Sequence, residues 1–291
     1  MTGPSRELAP LAALPGVGLD ELNAEAELQT RVDRKYVVPR AALASVLADL
    51  PADTRVLEVD GARALRYASQ YFDTPDLDSF YGAAHGRRHR FKVRARTYVD
   101  SGGSFLEVKT RGGRSATVKN RVPVDGDVLD DDAVAYAADL LRDAGVPGAS
   151  TLASTLVPVL VTRYRRATLL LPGSGGPAGG HASRGTVDTE LAWIARDGRL
   201  LALPGAVIVE TKSGQRAGAL DRALWRHGHR PASVSKYGTG MAALHPRLPA
   251  HKWRRVLTQH FLPAQSARPA RPERPEPTDP SHPATARAVT A

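Results

Sequence analysis

The sequence predicts an α+β protein, an antiparallel β-rich domain with helices packed outside the sheet. Three observations predict it. The dominant hydrophobic period is two, tight glycine-rich turns join several of the alternating stretches, and helical spacing is confined to a few segments.

The alternating stretches cover residues 31–38, 55–59, 65–73, 87–99, 104–111, 115–124, 158–171, 184–195 and 206–212. Ser101-Gly102-Gly103 and Arg111-Gly112-Gly113 are hairpin signals between consecutive stretches. The run PGSGGPAGG at 172–180 has no Gly-Lys-Ser/Thr ending and reads as a flexible connection, not a phosphate-cradling loop. One helix opens at Pro39 and places Leu43, Val46, Leu47 and Leu50 at helical spacing. A second runs from about Asp131 to Arg142 and ends near Gly145. A third spans about 218–227, with Leu220, Leu224 and Trp225 on one side. Residues 1–20 predict a flexible N-terminal arm and 21–245 the folded domain. Residues 246–291 form a Pro/Arg-rich tail, expected to be disordered from about 264.

Composition bounds the function. At 291 residues and 42% hydrophobic, the chain is globular and long enough for a substantial core. It has no cysteine, which excludes a disulfide framework, thiol catalysis and Cys-ligated metal sites. No stretch approaches the ~18 apolar residues of a membrane span, and residues 1–18 lack the pattern of a signal peptide. The expectation is a soluble, cytoplasmic protein. The net charge of +10 points to an anionic partner. From Ala264 onward, Arg268, Arg271, Arg274 and Arg287 face Glu273, Glu276 and Asp279, a net of +1, so +9 belongs to the rest. Only seven of the forty basic residues are lysines, and six of those seven lie in or beside strands or motif ends.

The spacing of these charges carries more information than their sum. Arg88, Arg90, Lys92, Arg94 and Arg96 alternate with His89, Phe91, Val93 and Ala95, which gives one basic and one largely apolar face. The pattern recurs in Arg31/Asp33/Lys35, Glu107/Lys109/Arg111, Thr117/Lys119/Arg121, Arg184/Thr186/Asp188/Glu190 and Ile208/Glu210/Lys212. Such a sheet has two solutions: it stays open with its charged face wetted, or it closes around that face. Closure would press cations together at a cost of several kcal/mol unless an anion or water compensated them.

The runs Asp33-Arg34-Lys35-Tyr36, YASQYFDTPDL (67–77), RFKVRAR (90–96), FLEVKTR (105–111), VIVETKS (207–213) and SVSKYGTG (233–240) resemble the VTC domain. This is the catalytic domain of the vacuolar transporter chaperone polyphosphate polymerase, within the CYTH/triphosphate tunnel metalloenzyme superfamily. The resemblance covers roughly residues 25–244 and implies a closed, eight-stranded antiparallel tunnel with helices outside. It implies phosphate-binding or catalytic roles for Lys35, Arg94, Arg96, Lys109, Lys119, Arg166 and Lys236. Arg166 fits the family's Tyr-x-Arg position after Tyr164 best, with Arg163 and Arg165 at the opposite parity. Weaker substrate contacts are expected from Arg31, Arg90, Lys92, Arg184 and Lys212. Glu210, with Glu107, is the expected ligand set for Mn²⁺ or Mg²⁺. The superfamily's first-strand Glu-x-Glu-x-Lys is replaced by Arg31-x-Asp33-x-Lys35, as in VTC-type members.

The implied activity is metal-dependent transfer of the γ-phosphoryl group of a nucleoside triphosphate, ATP first among them, to a growing inorganic polyphosphate. Rival expectations are a triphosphatase and a non-catalytic module for polyphosphate or inositol phosphates. Specific nucleic-acid binding has little support, since aromatic residues are 5% and no stacking cluster accompanies the basic strands. A separate membrane protein is a candidate partner. His227-Gly228-His229 is too isolated for a metal site, no Gly-x-Ser-x-Gly elbow occurs, and Asp73 and Asp76 read as turn residues.

Overall fold

A computed structural model of the chain describes residues 6–25, 32–111, 117–173 and 182–261. Arg31, most of the 172–180 connection and the tail from 262 lie outside these residues. The strands are β1 (Gly16–Val17), β2 (Val32–Pro39), β3 (Arg55–Leu57), β4 (Leu65–Asp73), β5 (Phe91–Tyr98), β6 (Ser104–Arg111), β7 (Thr117–Pro123), β8 (Val157–Leu171), β9 (Ser183–Ala195), β10 (Leu200–Ala202) and β11 (Ala206–Ser213). The helices are α1 (Leu19–Glu25), α2 (Arg40–Ala48), α3 (Asp78–Ala84), α4 (Asp131–Asp143), α5 (Ala149–Ser154), α6 (Ala219–Arg226) and α7 (Lys236–Leu244).

All eleven strands belong to one sheet, and eight follow a continuous order, β2-β11-β9-β8-β4-β5-β6-β7. Every pairing along that order is antiparallel. The α+β class is therefore as expected, but closure is not: among the described residues, no ladder joins β2 to β7. The residues of β7 are mostly exposed, Val118 by 43%, so little apolar burial presses that edge against another strand.

Register turns strand parity into faces. Lys35 stands opposite Glu210, Glu210 opposite Thr186, and Asp188 opposite Arg166. Further along, Ser69 faces Arg96, Arg94 faces Glu107, and Lys92, Lys109 and Lys119 form one cross-strand row. The recurring charged sets thus share one face of the sheet. The other face is apolar and is covered in two parts. Leu43, Val46 and Leu47 of α2, with Leu220 and Leu224 of α6, pack on Tyr36, Val187, Val207 and Val209. Ala133, Ala137 and Leu141 of α4 pack on Phe91, Val93, Leu106 and Val108. Helix α4 begins where the Asp130 carboxylate accepts the Ala133 N–H at 2.8 Å, and the chain turns away at Gly145 with φ +69°.

Three expectations are corrected. Arg88 and Arg90 do not extend β5, because Gly86 (φ +67°) turns the chain after α3 and the strand begins at Phe91. The N-terminal arm is not free: Leu8, Leu11 and Val17 are buried. Nor does the packed body stop at 245. Trp253, Val256, Leu257 and Phe261 are buried in the core, so residues 251–261 are part of the domain.

Candidate functional site

The charged face is bounded at one end by an aromatic layer. Helix α7 lies there with α3 and residues 251–261, burying Tyr67, Tyr71, Tyr164 and Trp193 against Tyr237, Met241, Trp253 and Phe261. The glycines of Ser-Lys-Tyr-Gly-Thr-Gly are packing residues. A Cβ on Gly238 would meet Trp253 at 2.3 Å, and one on Gly240 would meet Trp193 at 2.3 Å. Asp73 fastens this layer: it accepts the N–H groups of Thr74, Ser79 and Phe80 and the hydroxyl of Tyr237. Its role is that of a turn and anchor residue, not a metal ligand.

Beyond this layer two carboxylates gather cations. Glu107 is 1% exposed. It accepts from Arg94 at 2.5 and 2.8 Å, lies 2.6 Å from Lys119 Nζ and 3.5 Å from Arg96. Burial opposes its charge, yet Arg94, Arg96 and Lys119 outweigh burial and hold the carboxyl far below its ordinary value. Asp188 is fully buried and receives both ends of the Arg166 guanidinium fork, at 2.6 and 2.9 Å, together with Lys236. Burial opposes this charge too, and Arg166 and Lys236 overcome it. A register shift between Arg163 and Arg165 explains why Arg166 is the inward residue; Arg165 pairs with the exposed Glu190 instead.

Glu210 is held differently. Its Oε1 lies 3.5 Å from Lys35 and 3.4 Å from Lys212, both partly exposed. Burial disfavours its charge, and Lys35, Lys212, Arg166 and Lys109 reverse that effect. Lys109 also feels Glu210, although four strands separate β6 from β11 in the order, so the sheet bends around the charged face. Burial and then Arg94 push the Lys109 ammonium well below its ordinary value. Among the described residues no carboxylate lies within ion-pair distance of Lys92 or Lys109. Buried polar atoms on the same face, Tyr164 Oη, Arg96 Nε, Thr186 Oγ1 and Glu107 Oε1, make no hydrogen bond among the described residues.

Most expected site residues converge: Lys35, Lys92, Arg94, Arg96, Lys109, Lys119, Arg166, Lys212, Lys236, Glu107 and Glu210. Two do not. Arg184 Nη2 donates to Leu22 O and Asn23 Oδ1 at 3.1 Å each, bracing α1. Arg90 donates to the carbonyls of Gly86 and Arg87 within its own turn. Glu107, expected as a metal ligand, gives its Oε2 to two Arg94 hydrogen bonds, and its Oε1 lies at ion-pair distance from Lys119 and Arg96. Asp188 is the organising residue that strand parity alone did not single out, and Ser235 is a polar group of the site that a Gly-rich, loop-like run concealed.

Among the described residues, no three His, Asp or Glu side chains converge as a cation-binding set. Glu210, approached by Lys35 and Lys212 only at 3.4–3.5 Å, is the carboxylate on this face that could supply an oxygen ligand to a divalent ion, the donor type Mg²⁺ takes.

An antiparallel sheet with helices on its apolar face and cations clustered about carboxylates on the other defines an α+β protein with a charged-face site. The chain belongs to the VTC domain family, whose model matches residues 30–245. No curated protein matches the sequence. Among solved structures, a candidate adenylate cyclase from Bacillus halodurans is similar at 13% identity and a TM-score of 0.42, over 71% of this chain and 94% of that one. A candidate adenylyl cyclase from Hippeastrum, described with a dominant triphosphatase activity, is 12% identical with a TM-score of 0.39, over 73% and 96%. No helix among the described residues is long and apolar enough to cross a membrane.

Proposed function

We propose that this chain is a polyphosphate polymerase that moves the γ-phosphoryl group of a nucleoside triphosphate, ATP first, onto the end of an inorganic polyphosphate. The observation that carries the reading is the surplus of cations on one bent face. Arg94, Arg96 and Lys119 are fixed by Glu107, Arg166 and Lys236 by Asp188, while among the described residues Lys92 and Lys109 have no carboxylate within ion-pair distance. Cations in fixed places can hold successive phosphates with little reorganisation. In the working enzyme the edges β2 and β7 approach to complete the eight-stranded tunnel expected of the family.

Phosphoryl transfer asks the protein mainly for alignment and charge neutralisation. Arg94, Arg96 and Arg166 hold phosphoryl oxygens by paired N–H groups, and Lys35, Lys109, Lys119 and Lys236 act as point charges along the chain. The acceptor's terminal oxygen is already anionic, so no side chain has to remove a proton. Glu210 would hold Mn²⁺ or Mg²⁺, which supplies charge neutralisation at phosphoryl oxygens.

Hydrolysis is the rival reading. A sparse carboxylate set favours transfer, because hydrolytic tunnel sites use several carboxylates to position ions and a water. Incubation of the purified chain with ATP and Mn²⁺ tests it, with products resolved by gel and phosphate assay. Long polyphosphate with stoichiometric ADP is expected. Orthophosphate alone would replace the proposal with a triphosphatase, and tight binding without turnover would replace it with a binding module.

A further inference from the structure

Lys92 is a cation that neither carboxylate cluster accounts for. It shares the charged face with Arg94 and stands opposite Lys109 on β6. Its Nζ donates to Ser235 Oγ at 3.0 Å, and that oxygen also caps α7 by accepting the Gly238 N–H at 3.2 Å. After burial, the largest influences on Lys92 are cations: Lys35 on β2, Arg94 on its own strand, Lys252 in the terminal segment and Arg90 in the turn before β5. Lys109 faces it from β6, and α7 offers the neutral Ser235. Glu107 and Glu210 are engaged with other cations.

We infer that Lys92 takes up a proton from solvent when a phosphate chain seats beside it, so that anion binding on this face is proton-coupled and weakens as pH rises above neutrality. The inference rests on the phosphate-chain reading of the site. A half-buried amine among cations holds its proton poorly, and an arriving anion supplies the missing counter-charge. The balance is simple: the neutral amine gains one solvent proton and becomes the ammonium that pairs with the phosphate.

Burial, followed by Lys35, lowers the Lys92 ammonium from 10.5 to about 7 in the free protein. The ligand raises it again, so affinity is full below about pH 7 and falls as pH increases through that value.

Calorimetric titration of the full chain with inorganic triphosphate, in buffers of different ionisation heat, counts the protons. Relative to Lys92→Arg, which keeps a permanent cation, the wild type should take up about half a proton more at pH 7 and about nine-tenths more at pH 8. Lys92→Met provides a second comparison should the arginine variant fail to fold. Equal proton counts across pH 6–8 would overturn the inference while leaving triphosphate binding intact. A wild type that binds no triphosphate would overturn the underlying reading as well.

Discussion

Glu107 and Glu210 lie on the same face of one sheet, each among cations, yet their surroundings assign them opposite work. Glu107 stands opposite Arg94 on one side and Arg121 on the other, and three cations reach it, two of them at 2.5–2.8 Å. Glu210 stands between Lys35 and Thr186, and its nearest cations stay 3.4–3.5 Å away. A buried carboxylate hydrogen-bonded twice by one arginine and close to two further cations is a fixed point that holds arginines in place. A carboxylate approached only at 3.4–3.5 Å by two partly exposed lysines keeps oxygens for something else. The lesson is that residue type and parity put both on the site, while the partners across the ladder decide which one organises and which one remains available.

The sharpest way to break this contrast is Glu107→Gln. Removing the anion leaves Arg94 and Arg96 buried without compensation, with the exposed Lys119 beside them, and the loss should be about 3–5 kcal/mol of folding stability. Urea denaturation reads it directly. The same contribution has a pH signature. The folded carboxyl titrates far below its ordinary value, so the stabilisation is complete above about pH 4.3 and is lost as pH falls further, through the folded value. The variant should lack that acid-dependent loss. A change under about 1 kcal/mol would mean that Glu107 is not the fixed point of this wall.

Strand parity made the charged face readable before any coordinates, since alternate residues must share a side. Pairing across strands was not readable. Nothing in RGTVDTEL says that Asp188 receives Arg166 and Lys236, because that contact depends on a ladder offset at Arg163/Arg165 and on where α7 docks. Helix α7 hid behind its glycines, which look like loop residues until Trp193 and Trp253 are placed against them. The same holds at the C-terminal boundary. Trp253, Val256, Leu257 and Phe261 carry a helical spacing of three and four, but the Pro/Arg-rich composition that follows masked it. Closure was the expectation hardest to derive from sequence, because edge pairing depends on sheet curvature, a cumulative property no single strand encodes.

Glu210→Gln sharpens the comparison from the other side. Its cationic neighbours are 26–32% exposed at their side chains, and water can solvate them once the charge is gone. Stability should therefore fall by about 1 kcal/mol or less. Divalent-dependent turnover should fall by about 100-fold or more if this carboxylate holds the ion. Denaturation and a Mn²⁺ titration of polyphosphate synthesis measured on one preparation separate the two effects. Full turnover at ordinary Mn²⁺ would remove Glu210 as a ligand, and a stability loss matching that of Glu107→Gln would erase the distinction between the two walls.

The smallest effect is expected at Lys212→Ala, and its sign is informative. Lys212 lies 3.4 Å from Glu210 and is partly exposed, so the pair contributes at most about 0.5 kcal/mol to folding. Deleting it leaves Lys35 as the remaining lysine within ion-pair distance of Glu210 Oε1 among the described residues and makes the carboxylate more attractive to a divalent ion. If Lys212 mainly competes with the ion, the Mn²⁺ concentration for half-maximal activity should drop by about two- to threefold, as expected for losing one weakly coupled charge. If Lys212 mainly holds phosphate, that concentration stays fixed and the apparent affinity for the nucleotide weakens instead. Both quantities come from the same kinetic matrix of ATP against Mn²⁺, and they move in different columns. No change in either would place Lys212 outside the reacting region and leave Lys35 as the lysine through which Glu210 is held.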